Sequence, residues 1–132
     1  MALIELDDFT QRLSSLTAHD FDQIAGVLRA EHDSADGEVA WWRAQIEVTG
    51  LLRRHHRTRE ASLAAHRASV AVVTAARAAG IDDDDHRTAI TAVARAAGEA
   101  ARVRVLLQAG ELAPLAADAL LHPWQPVAPT AA

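Results

Sequence analysis

Hydrophobic positions along this chain recur at the three-to-four-residue spacing of helices, and nowhere with the strict alternation of a half-buried strand. Asp8 is placed to cap a short first helix whose Phe9, Leu13 and Leu16 share one face, with Gln11 in the capping-box position. Thr17 and Asp20 repeat that signal ahead of Phe21, Ile24 and Leu28. The polar run EHDSADGE, residues 31–38, then reads as a loop in which Asp36 caps the next helix. From Gly37 to Ala79 there is no proline, Gly50 is a weak breaker, and Gly80 supplies a C-terminal glycine. Local physics therefore favours one helix over 37–79, roughly 65 Å long at 1.5 Å per residue. A kink or tight helical hairpin near 55–60, with Thr58 capping the second half, is the alternative. Four aspartates at 82–85 suit the start of a helix running to about 108, which Gly110 closes. Pro114 opens a last short helix through Leu121, and Pro123 stops it.

This pattern predicts an all-α fold, a bundle of five to six helices built around the long helix 37–79. The 132 residues are the size of one domain, placed at 1–122, followed by a proline-rich tail, 123–132, expected to be extended. Trp124 is the residue of that tail able to fold back as an anchor.

Composition sharpens the picture. There are 31 alanines and no cysteine, lysine, asparagine or tyrosine. Without cysteine there is no disulfide framework, thiolate metal site or cysteine nucleophile. The N-terminal residues lack the layout of a secretory signal, and no run of about 18 uncharged apolar residues occurs, so the expectation is a soluble cytoplasmic protein with no membrane partner. The net charge of -5 is unevenly spread: residues 1–38 hold nine acids against two arginines, 43–77 seven arginines against two acids, and 82–118 seven acids against four arginines. A basic central segment between acidic ones fits charges that answer each other within the fold or across a dimer. An acidic chain without a lysine argues against a nucleic-acid partner.

The stretch RRHHRTREASLAAH, residues 53–66, is the most chemically loaded. On a continuous helix at about 100° per residue, His55, Arg59 and His66 fall on the same meridian as Trp41, Val48, Leu52, Leu63, Val70 and Val73. That meridian reads as core, so the three polar residues are expected in an internal ion pair, a subunit interface or a ligand cleft, with Glu99 a candidate partner. Arg53, Arg54, Arg57 and Arg67 face the other way, as a solvated basic surface. Arg59 and His66, an arginine and histidine with six residues between them, resemble the motif of the HEPN ribonucleases. The resemblance spans a few residues and departs from the family at Glu60; it implies an all-α, often dimeric ribonuclease whose arginine and histidine bind the scissile phosphate and activate the 2′-hydroxyl. A metal-binding bundle would use histidines with Glu31 or Glu38, His32 and His86 also being available. On one straight helix, however, His55 and His66 stand about 16 Å apart and cannot share an ion.

Trp41 and Trp42 are adjacent and so face different directions. Val39, Trp42 and Ile46 form a second apolar stripe, and the first half of the long helix is expected to be buried on two sides. Ala61, Ala64, Ala68, Ala71 and Ala75 lie opposite the core meridian, as an exposed helix-forming face or a tight helix contact. Ile90, Ala94, Ala97, Ala101 and Val105 make a stripe of mostly small residues, with Arg104 at its edge as a snorkelling side chain or cross-helix ion pair. No phosphate loop, dinucleotide fingerprint or serine elbow occurs, and no cofactor or metal is expected. The sequence thus predicts a non-catalytic helical interaction or structural protein that self-associates, as a homodimer. Its ligand or interface candidates are His55, Arg59, His66, Trp41 and Trp42.

Overall fold

The computed structural model describes residues 6–112 and 118–127; Pro114 lies outside them. Among the described residues six α-helices follow one another: α1 (Leu6–Leu13), α2 (Ala18–Asp33), α3 (Ala35–Arg54), α4 (Thr58–Ala78), α5 (Arg87–Gln108) and α6 (Asp118–Leu121). A 3-10 turn at Asp84–His86 leads into α5, and another at His122–Val127 follows α6. No strand occurs among the described residues, so the chain is an all-α bundle.

The long helix 37–79 is broken at 55–57. His55 caps α3, His56 takes a left-handed conformation (φ 55°), and two backbone bonds fold the chain back: His56 N–H to Arg53 O at 3.2 Å and Arg57 N–H to Leu52 O at 2.8 Å. This is the double bond pattern of a helix-ending turn whose left-handed position usually belongs to glycine. Gly80 (φ 73°) and Gly110 (φ 70°) end α4 and α5 with the same pair of bonds. Histidine at the third such turn conceals the break from a search for glycine.

The break resets which face of the helix meets the core. Ala44, Val48 and Leu52 are buried on α3, but on α4 the buried face is Ala61, Ala64, Ala68, Ala71, Val72, Ala75 and Ala76. Leu63, Val70 and Val73, placed in the core by a continuous helix, are 50%, 49% and 37% exposed. The alanine stripe is therefore the tight contact, made with α5. The two helices run antiparallel, since Ser69 Oγ donates to Ala94 O (2.9 Å) while Ala65 lies against Gly98. A Cβ on Gly98 would stand 3.3 Å from Ser69 Oγ.

The helix at the centre is α5 rather than 37–79. It packs against α1, α2, α3, α4 and α6 and buries residues around most of its circumference, from Val93 to Leu106. Arg104, 7% exposed, does not snorkel: its guanidinium lies over the Phe9 ring, 3.8 Å from the centroid, and donates to Ala100 O at 3.3 Å. Burial pushes its pKa down to about 10, which leaves it charged at neutral pH. Phe9 also meets Trp124 edge-on at 5.4 Å. Trp124 is 1% exposed, so residues 122–127 form an anchored turn where extended chain was expected. Its indole N–H finds no acceptor among the described residues, a cost of about 1–3 kcal/mol offset by the buried ring.

The expected loop at 31–38 shrinks to a single residue. Ser34 ends α2 by donating its N–H to Glu31 O and starts α3 by accepting from Gly37 N–H at 3.2 Å. At so sharp a corner the first turn of α3 presses on α2. A Cβ on Gly37 would lie 2.5 Å from Glu31 O, so glycine is required there.

Candidate functional site

The turn at 55–57 presents two of its side chains to one acid. Arg57 Nε donates to Glu111 Oε2 at 2.7 Å and its Nη1 to Glu60 at 3.1 Å, while His55 Nδ1 stands 3.7 Å from Glu111 Oε1. Glu111 follows Gly110 in the turn that ends α5, so the ends of α3 and α5 are joined by one carboxylate. The hydrogen bond from Arg57 holds the Glu111 carboxyl below its ordinary range, against a smaller opposing effect of desolvation. This cluster is a clamp between helix ends, and Arg57, expected on the solvated face, is its main donor.

His55, Arg59 and His66 are not brought together. His55 is half-buried beside Glu111, whereas Arg59 and His66 are exposed on α4 in line with Leu63, Val70 and Val73. The residues considered as metal ligands are also dispersed. Glu31 faces His122 at 3.8 Å, His32 stacks edge-on against Trp41 at 5.6 Å, His86 pairs with Asp83 at 2.8 Å, and Glu38 is exposed. Among the described residues no group of three or more histidines and carboxylates is placed to hold an ion. None of their helices is long and apolar enough to cross a membrane.

The tryptophans define a different site. The stripe expected to be buried on a second side, Val39, Trp42 and Ile46, is 49%, 54% and 71% exposed. Other helices cover α3 on the Ala44–Val48–Leu52 face and leave this one open. Trp41 turns inward, and its Nε1 donates to Glu99 Oε2 on α5 at 3.0 Å. Glu99, considered as a partner for His55, Arg59 or His66, instead accepts from an indole. Desolvation raises its pKa, opposed first by the Trp41 bond and then by the charge of Arg102. Trp42 packs edge-on to Trp41, with centroids 4.7 Å apart and planes at 82°. Arg102 of α5 crosses to α3, donating to Gln45 Oε1 (3.2 Å) and Thr49 Oγ1 (3.1 Å).

These groups line an open groove of about 600 Å³ along α3, walled by Trp41, Trp42 and Ile46 and continued past Gly50 to Arg53. Trp41 is fixed by hydrogen bond and packing, and it steadies Trp42 at the surface. The groove contains a rigid aromatic corner and an aliphatic side chain, with arginines at its edge. Such a surface is suited to apolar contact with another helix.

Comparisons of the chain with protein-family models, with curated proteins and with solved structures found no match. The geometry of the surface therefore carries the functional reading.

Proposed function

We propose that this protein is a non-catalytic helical interaction module that self-associates through the exposed face of α3, and that it works in the cytoplasm. The observation that carries this reading is the stripe Val39, Trp42 and Ile46, three large apolar side chains about half or more exposed on successive turns of one helix. Scattered apolar residues are ordinary on protein surfaces, but a contiguous stripe beside an aromatic groove has the composition of an interface core. Tryptophan is among the residues that contribute most to such contacts.

Ile46→Glu tests the reading, because it places a charge at the most exposed point of the stripe with little effect on the core. By light scattering after size exclusion, the wild type is expected to have a mass above the 14.1 kDa of one chain, and the variant to fall to the monomer. A wild type that stays monomeric up to high micromolar concentration contradicts self-association. Recovery of the tagged chain in a membrane or secreted fraction contradicts the location.

A further inference from the structure

We propose that two copies dock antiparallel along α3 about a two-fold axis passing Ile46, so that Trp42 of each copy comes level with Gly50 of the other. This rests on the self-association reading and specifies its geometry.

The charges of α3 are opposed end to end: Asp36 and Glu38 lie in its first turn, Arg53 and Arg54 in its last. A two-fold axis at residue 46 sets position 46 − n against 46 + n of the partner. On the shared flanks Asp36 then lies within a turn of Arg54 and Glu38 beside Arg53, Val39 meets the stem of Arg53, and Trp42 comes level with Gly50. Parallel pairing would instead place acid against acid and arginine against arginine.

Gly50 supplies an independent observation. It stands inside α3, where glycine costs roughly 1 kcal/mol relative to alanine. A Cβ there would meet nothing within 4 Å, so packing within the chain gives no reason for glycine. It lies on the wall of the tryptophan groove, two turns after Trp42 and one after Ile46. An incoming indole needs such a gap, and the two-fold arrangement brings one to it.

The second exposed apolar stripe, Leu63, Val70 and Val73 on α4, is excluded by the same reasoning. In line with it stand Arg59 near the start of the helix and Arg77 at its end, while the acid of the first turn, Glu60, lies about 100° away and is already bound by Arg57. Self-pairing in either direction would oppose arginine to arginine.

Because the chain has no cysteine, single cysteines report the geometry directly. Under mild oxidation Ile46→Cys is expected to form a covalent dimer. Val39→Cys and Arg53→Cys, level with each other and both within about 20° of the seam, are expected to cross-link when mixed but not when oxidised separately, given the short Cβ separation a disulfide needs. Gly50→Leu, whose Cβ would meet no atom of its own chain within 4 Å, should weaken the dimer at least tenfold in sedimentation analysis without lowering the thermal unfolding midpoint of the monomer, which better helix propensity is expected to raise. Val39→Cys linking to itself, or Ile46→Cys failing to link in a wild type shown to be dimeric, overturns the antiparallel arrangement and leaves self-association standing. A wild type that is monomeric throughout overturns both.

Discussion

His56 is an L-residue held at φ 55°, exposed, at the one turn that divides α3 from α4. The left-handed conformation costs a residue with a Cβ roughly 1–2 kcal/mol, and part of the gain from relieving it is lost to the greater freedom of glycine in the unfolded chain. His56→Gly is expected to raise stability by about 0.5–1 kcal/mol in urea unfolding, and a decrease would show that the imidazole makes a contact worth more than the strain. Beside it, the folded-state pKa of Glu111 is lowered. The stability this confers is fully present above the carboxyl's ordinary value and is lost as pH falls through the folded value. Glu111→Gln is therefore expected to lower the unfolding midpoint at neutral pH and to flatten its decline on the acid side; an unchanged acid limb would mean that other carboxylates set it. Neither feature was legible in the sequence. A histidine in the glycine position and an acid 54 residues from its arginine carry no local pattern. Thr17 and Asp20, by contrast, form the capping box that their spacing indicates.

At the scale of helices, spacing identified the buried faces of α1 and α2, where Phe9, Leu13, Phe21, Ile24 and Leu28 are in the core, but not the faces along 37–79, where the favoured single helix is two. One left-handed residue shifted the phase of α4, so the alanines went inward and Leu63, Val70 and Val73 outward. Periodicity carries a face only as far as the helix is continuous, and the site reading for Arg59 and His66 depended on that continuity. The opposite cores predict opposite tolerances. Gly98→Leu, forced against Ser69 and Ala65, should cost about 1–3 kcal/mol by overpacking. Val70→Ser on the open face should stay within about 0.5 kcal/mol. Thermal or denaturant unfolding of both variants checks this, and a large loss for Val70→Ser would mean that this face is covered in solution. The same reasoning explains Trp41 and Trp42: adjacency separated them by about a quarter-turn, and the structure uses one as an internal anchor and the other as surface.

Across the whole molecule, α5 organises the bundle, α4 closes on it through small side chains, and α1, α2 and the Trp124 turn cover the remaining side. That arrangement leaves the Trp42 face of α3 free, at the mouth of a groove whose walls are already fixed by Glu99 and Arg102. A dimer resting on one helix face lies at the small end of specific interfaces, so its mass should depend on concentration. Its exposed charge pairs should weaken with salt while the apolar contact persists. The most direct measurement is a sedimentation-velocity concentration series on the wild type, Ile46→Glu and Val70→Glu side by side. A wild type and Val70→Glu that both associate reversibly to twice the mass, with Ile46→Glu remaining a monomer, is the expected result. A wild type monomeric at every concentration, or a dimer lost with Val70→Glu and kept with Ile46→Glu, would contradict the assignment of function to α3.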